Sequence, residues 1–505
     1  MAPWLQLGVG AGLTIAGWWL TRRSAGARWR RPSALALDAL APALGFGLAL
    51  AATARPILSG LAVLALAAGL TLADRTKRAA LREPVVFSDM DEFFQLFRHP
   101  QLYLPFAGTG LVVGGALAAG AAVVGLFVLE PTAWPWSPWP GLLAIGAVVA
   151  AIVATARPLL LDATARALRR FALSDDPTRD AEALGLFSML LAHGIIARAE
   201  REDRRARVAS VERPPRRPAP YHAQPIVLVQ SESFFDARRL HPAVPRDLLP
   251  AYDACCASAL QRGRLAVPGW GANTMRTEFA VLSGLSEAEL GFDRFNPYHA
   301  FARKPVASLA WRLRAHGYRT ICLHPFDRRF FRRDIAMPNL GFDAFVGPEA
   351  FVGAERTGLY ITDLEVGRRI VELVGAQGPA VFVFAITMEN HGPWLSGIAG
   401  AGTGAVPGLR DGAALGQYLD GLRSANRMVA LLAETFTPAR PAVLGFYGDH
   451  LPSLPSVFDE VGYTDPRTDY FIWRPGGTGA EPRDIAAHQL PDAVALCAGL
   501  TSDRH

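Results

Sequence analysis

The 505-residue sequence predicts a chain of two parts: a polytopic α-helical membrane domain, then an α/β domain with a mostly parallel central sheet flanked by helices. Three observations predict it. The long Ala/Leu/Gly/Val runs are concentrated in the first 160 residues. A Pro/Arg-rich stretch, REDRRARVASVERPPRRPAP at 201–220, marks the clearest boundary. From 223 onward, short apolar runs of strand length alternate with longer helical patterns, as a buried parallel sheet requires.

Composition narrows the partners. Hydrophobic residues make up 51%, only slightly above the ordinary, so their uneven spread is what carries the signal. The net charge of +6 comes largely from arginine clusters beside the apolar runs and in the linker. That pattern suits a lipid bilayer and not nucleic acid. Of four cysteines, Cys255 and Cys256 are adjacent, Cys322 and Cys497 are distant, and no CxxC spacing occurs. Neither a disulfide framework nor a thiolate zinc site follows.

The elements come in chain order. Residues 1–158 are expected to hold about five transmembrane helices, at roughly 3–21, 34–54, 57–73, 104–129 and 140–156. Each is near the ~20 residues a bilayer takes. The first lacks a basic leader and a small-residue cleavage site, so it reads as a retained helix. Trp18, Trp19, Trp134, Trp136 and Trp139 lie at run ends, where an aromatic belt would place them. REPVVFSDMDEFFQLFRHPQLYLPF (82–106) is too polar to span and reads as interfacial. Residues 159–222 read as juxtamembrane amphipathic helices and the linker, with a short apolar run at 183–197. Arginines crowd the loops after the first, third and fifth runs, which would make those loops cytoplasmic. Five spans then leave the C-terminal domain inside; a crossing by 183–197 would put it outside.

Residues 223–505 read as the α/β domain. Its expected strands are PIVLVQ (225–230), YRTICL (318–323), AVFVFAIT (380–387) and AVLGFY (442–447). The chemical signal lies just past the end of each strand. Glu232 comes after the first, His324 after the second, Glu389, Asn390 and His391 after the third, and Asp449 and His450 after the fourth. In open α/β sheets the ligand crevice lies outside these carboxyl ends. GDH alone is an ordinary strand-to-loop turn, and a post-strand glutamate an ordinary first-turn helix residue. Four coincidences at one sheet edge point instead to a site for a divalent cation such as Mn²⁺, Mg²⁺ or Zn²⁺. A cation needs a reaction partner, and GWGANTMRTEF (269–279) offers one. Thr277 and Glu278 fit early helix positions, whereas Thr274 reads as the N-cap, its hydroxyl exposed where the helix dipole favours a phosphate. On local sequence alone Thr274 is a plain cap.

Together these residues resemble the lipoteichoic acid synthase and phosphoglycerol transferase family, within the alkaline phosphatase–sulfatase superfamily. The motifs, in order, are ESF (232–234), NTMRTEF (273–279), FFRRD (330–334), TMENHGPW (387–394) and YGDH (447–450). The likeness covers nearly the whole chain and implies a sulfatase-like catalytic domain. It implies that Glu232, Thr274, Asp449 and His450 hold one divalent metal, commonly Mn²⁺. It implies Thr274 as nucleophile of a covalent intermediate, and Phe331, Arg333 and His391 as residues lining a phosphoglycerol pocket. Arg333 could clamp a phosphate bidentately, and His391 could serve as acid or base.

The implied activity is transfer of glycerol phosphate from phosphatidylglycerol to a glycan or glycerolphosphate polymer. The catalytic domain would lie on the outer face of the inner membrane, and the reading follows the motifs here against the arginine count. Asn273, where this family usually has lysine, and Phe331, where it has tryptophan, point toward transferases that modify glycans. Alternatives are phosphoethanolamine transfer, phosphate- or sulfate-ester hydrolysis, and a non-enzymatic membrane scaffold. Sulfate hydrolysis is disfavoured because CCASALQRGR (255–264) lacks the proline of a formylglycine motif. The scaffold is disfavoured because all four metal-site residues are present.

Overall fold

The computed structural model describes residues 1–28, 32–90, 100, 108–155, 157–171, 173–208, 223–301, 303–378, 380–395 and 402–500. The chain divides into two units, Met1–Glu202 and Asp203–His505. Most of the interfacial segment expected at 82–106, and of the linker at 201–220, lies outside the described residues.

The first unit is helical: α1 Pro3–Ser24, α2 Pro32–Thr53, α3 Pro56–Leu81, α4 Thr109–Leu129, α5 Pro138–Thr155, α6 Pro158–Arg169, α7 Pro177–Leu184 and α8 Leu186–Ala199. Proline opens six of these eight, a position where its missing N–H costs no helical bond. Each of the five expected runs forms a helix. Among the described residues, α2, α3 and α4 are long and apolar enough to cross a membrane. The helix α1 is as long as α2, but Gln6 and its glycines and tryptophans dilute its hydropathy. At 14 residues α8 reaches only about 21 Å, short of the ~30 Å of a hydrocarbon core.

Small residues let α1 and α3 approach closely. A Cβ on Gly10 would overlap the Pro56 carbonyl, and one on Gly17 would stand 3.1 Å from the Ala67 Cβ. Charges inside this unit are paired. Buried Asp38 accepts from Arg22 Nη1 at 2.9 Å, Trp18 Nε1 at 2.8 Å and the Ser188 N–H at 3.0 Å, tying α1, α2 and α8 together. The Glu130 carboxylate takes the otherwise orphaned N–H groups of Ile57 and Leu58 at the start of α3, at 2.9 and 2.8 Å. In α6 the amphipathic pattern buries Leu161, Ala165 and Leu168, while Leu159 and Leu160 stay exposed.

The second unit is built on an eight-stranded sheet: β1 Ile226–Ser231, β2 Gln261–Ala266, β3 Arg319–Leu323, β4 Ala344–Val346, β7 Val381–Ile386, β8 Val443–Gly448, β9 Thr468–Trp473 and β10 Ile485–Ala486. A separate hairpin pairs β5 Arg356–Thr357 with β6 Tyr360–Ile361. The sheet order is β10-β2-β9-β8-β1-β7-β3-β4. The four strands expected from sequence are β1, β3, β7 and β8, which lie side by side and parallel. Every residue of β1 is buried, with Val227 and Val229 on one core face and Ile226 and Leu228 on the other. Such two-sided burial explains runs that are apolar throughout instead of alternating. Because the strands run parallel, their carboxyl ends open at one edge, and that edge receives the functional residues.

Candidate metal centre and active site

Glu232, Asp449 and His450 converge there. One ligand atom from each lies within 4.8 Å of the other two, all buried. Glu232 follows β1, and Asp449 and His450 follow the adjacent β8. A Cβ on Gly448 would overlap the Phe234 carbonyl, so only glycine lets these two strand ends close together. His450 Nδ1–H donates to the Leu451 carbonyl at 2.9 Å, which leaves the Nε2 lone pair facing inward. That atom stands 3.4 Å from Glu232 Oε1 and 3.3 Å from Asp449 Oδ2.

The fourth group is Thr274, whose Oγ1 lies 3.3 Å from His450 Nε2. The helix α9 runs Thr274–Ser283, so Thr274 is its first helical residue and Asn273 the N-cap. This corrects the reading of Thr274 as the cap. Asn273 adopts φ 56° and Ala272 φ 45°, so the turn itself lifts the hydroxyl toward the cluster. Thr277, one turn on, donates to the Asp449 carbonyl at 2.7 Å and fastens the helix to the metal-site strand.

The donor set fits one divalent cation. Ligand–metal distances of about 2.1 Å at tetrahedral angles require ligand–ligand edges of about 3.4 Å, close to the separations found here. Asp449 Oδ1 accepts two backbone N–H groups, from Ser233 at 2.9 Å and His450 at 3.0 Å. Its Oδ2 is buried without a hydrogen-bond partner. Burial, and then the neighbouring Asp449 charge, push the Glu232 carboxyl up to about 8. Two buried carboxylates this close call for a positive charge between them.

Arg333 begins α10, Arg333–Asn339, and is fully buried. Its fork is directed to Glu278, with Nε at 2.9 Å and Nη2 at 2.8 Å, while Nη1 reaches His324 Nε2 at 3.3 Å. The bidentate face that sequence reasoning assigned to phosphate is therefore held by a carboxylate. Glu278 also accepts from the Tyr298 hydroxyl at 2.5 Å and Gln230 Nε2 at 3.2 Å. Gln230 in turn accepts from Tyr447. Burial, reinforced by the Arg333 charge, holds the His324 imidazole well below its ordinary pKa and keeps it neutral. Phe331 packs under the Arg333 guanidinium, 5.3 Å from ring to carbon.

His391 follows β7. Its Nδ1–H donates to the Gly392 carbonyl at 2.7 Å, leaving Nε2 as the basic nitrogen. Burial lowers its pKa, partly offset by that bond and by the Asp449 charge. The Tyr360 ring lies 5.6 Å away. Glu389, although it also follows β7, is no ligand: it accepts from Thr357 Oγ1 at 2.8 Å, the Asp363 N–H at 2.6 Å and Ser424. The free Cys255 and Cys256 thiols are pushed up to about 12, chiefly by burial, and are inert at neutral pH.

The structure thus brings Glu232, Thr274, Asp449 and His450 into one cluster and ties Phe331 and Arg333 into the network beneath it. Sequence reasoning missed Glu278, Gln230 and Tyr360. A separate signal could have flagged the region. Among the described residues from 223 onward, the non-glycine residues with positive φ are Ser233, Ala272, Asn273, Phe331 and Arg332. Each is an expected site residue or lies within two positions of one, as backbone strain at functional sites would have it.

Comparison with known proteins bears on the family and the fold. A family model described as Sulfatase matches residues 224–499. The capsular polysaccharide biosynthesis protein RkpI of Rhizobium meliloti (strain 1021) is 34% identical over 430 residues, spanning 79% of this chain and 73% of the relative. A putative cyclic β-1,2-glucan modification protein of the same organism is 29% identical over 263 residues, 50% of this chain and 40% of that protein. Among solved structures, the integral membrane protein lipooligosaccharide phosphoethanolamine transferase A from Neisseria meningitidis superposes with a TM-score of 0.55. It is 11% identical and covers 96% of this chain and 94% of its own. That likeness is one of fold and includes the helical N-terminal part.

Proposed function

The chain belongs to the sulfatase family, and on that premise we propose that it is a membrane-bound, metal-dependent phosphotransferase acting through Thr274. Its donor is phosphatidylglycerol and its acceptor an extracytoplasmic glycan or polymer. The observation that carries this reading is the Thr274 hydroxyl, lifted by a positive-φ turn to 3.3 Å from His450 Nε2 beside two buried carboxylates. A hydroxyl at that point serves a covalent route, in which a second acceptor displaces the threonine. The apolar helices keep the domain at a lipid supply, and relatives named for polysaccharide synthesis and glucan modification favour a glycan acceptor.

Glu232, Thr274, Asp449 and His450 would hold the cation, Mn²⁺ being the family's common choice. When bound, it lowers the pKa of the threonine hydroxyl and offsets the negative charge of the phosphate. The rest falls to the chain. Thr274 Oγ forms a bond to phosphorus as the bond to the diacylglycerol oxygen breaks, and the proton the threonine gives up passes to that oxygen, which leaves as diacylglycerol. An acceptor hydroxyl then attacks the phosphothreonine, the threonine oxygen–phosphorus bond breaks, and the acceptor's proton passes through His391 Nε2 to Thr274, which regains its hydroxyl. Glu278 and Arg333, locked on each other, hold α9 against α10 so that the nucleophile keeps its place.

The test is transfer of label from glycerol-labelled phosphatidylglycerol by the full chain in proteoliposomes, with Thr274→Ala beside it. Loss of at least about 10³-fold with unchanged folding is expected. Undiminished transfer by the variant would refute the nucleophile. Label moving only from phosphatidylethanolamine would replace the head group and leave the threonine chemistry intact.

A further inference from the structure

Five large apolar side chains stand exposed among the described residues from 223 onward: Ile335, Val352, Leu359, Leu395 and Leu496. Four of them share one edge. Ile335 lies in the excursion after β3, Val352 and Leu359 in that after β4, and Leu395 in that after β7. These three strands are adjacent and parallel, and the carboxyl ends of β3 and β7 lead into Arg333 and His391. Leu496 alone sits at the opposite edge, beside Gln224, which precedes β1.

The two most exposed of these four lie before the β5–β6 hairpin and at its tip. Val352 is 90% exposed, and Leu359, at the hairpin tip beside Gly358, is 65% exposed. Two hairpin side chains reach the catalytic segment: exposed Thr357 donates to Glu389, and the half-buried Tyr360 ring packs on His391. Tyr360 also meets Phe326, which meets Phe330, which lies against Phe331. A chain of aromatic contacts therefore runs from the hairpin to Phe331.

We infer that this hairpin and its approach form a lip that enters a lipid surface and delivers the donor's phosphodiester to the site. The inference rests on the reading of the donor as a phospholipid. A bilayer is the occupant the molecule itself supplies, because helices of the same chain are built to lie in one. Side chains that apolar, at the mouth of a site whose substrate sits in a membrane, gain by leaving water.

Two measurements test it in proteoliposomes. In the first, Leu359→Cys and Leu496→Cys are labelled with an environment-sensitive fluorophore, the parent chain serving as blank. Nitroxide-bearing lipids should quench position 359 at least about twofold more than 496, two sites equally exposed in the protein. Equal quenching overturns the lip whatever the donor proves to be. In the second, the double variant Val352→Ser/Leu359→Ser should lose about tenfold in transfer from bilayer phosphatidylglycerol, while keeping its rate on a short-chain, monomeric phosphatidylglycerol. Loss on both donors, or on neither, also overturns it. A wild-type chain that transfers from no glycerol lipid, yet shows quenching at 359, would sink the donor assignment and spare the lip.

Discussion

Cation binding should release a proton, and the amount should depend on pH in a way set by Glu232. In the cation-free protein its carboxyl titrates at about 8. At pH 7 such a group is about nine-tenths protonated, and a ligand must be deprotonated, so about 0.9 proton leaves per cation bound. At pH 9 the same group is about nine-tenths ionised, and the release falls to about 0.1. Apparent affinity should accordingly rise about fivefold from pH 7 to 8, by about twofold more from pH 8 to 9, and level off above. Sign and stability agree. A carboxyl raised above its unfolded value is most favourable at low pH, so the cation-free fold weakens by up to about 1.4 kcal/mol per pH unit as pH rises toward 8. Cation binding should remove that slope. Titration calorimetry of Mn²⁺ into the metal-free chain, in buffers of different ionisation enthalpy at pH 7 and pH 9, reads the proton count directly. A count near zero at pH 7, or one unchanged at pH 9, would refute the assignment of Glu232 as a buried, protonated ligand.

Two further outcomes are expected of the site. Arg333→Met strands the Glu278 charge and should cost about 3–5 kcal/mol, a melting-temperature loss of roughly 6–20 °C, most of it recovered in Glu278→Gln/Arg333→Met; a double variant no more stable than the single one would show the ion pair is not the cause. His391, lowered by burial, should be neutral at pH 7, so the transfer rate should fall only as pH drops through a value below the usual ~6.5; a rate profile unchanged in His391→Gln would remove it from proton transfer.

Much of the site was legible because parallel strands announce themselves twice. Each is a continuous apolar run, and each ends at the edge where chemistry collects. Glu232, Asp449 and His450 could be placed by that rule alone. Thr274 could not, since its neighbours spell a helix start and its partner His450 is 176 positions away. The strand β2, next to the sheet edge, escaped for the opposite reason. β2 is QRGRLA, with four half-buried residues before its first buried one, and carries no apolar run to notice. Arg333 was found but its partner was not. A glutamate one turn into a helix reads as a solvated charge until the fold buries it against a guanidinium. Among the described residues, three of the five expected membrane spans have the length and hydropathy to cross, and the first shows how glycine and tryptophan dilute such a run.

The hub at Asp38 bears on how the helical unit is made. Its charge is met by Arg22 and Trp18 as soon as the first two helices exist, so the pair can enter a membrane together with little exposed charge. The remaining bonds, from the Ser188 N–H to Asp38 and from Arg22 to the Leu184 carbonyl, close only some 150 and 162 residues later in synthesis. The first helix pair is thus closed early but completed only when nearly all of the unit has emerged, and a chain cut before residue 184 keeps the ion pair but lacks its clasp.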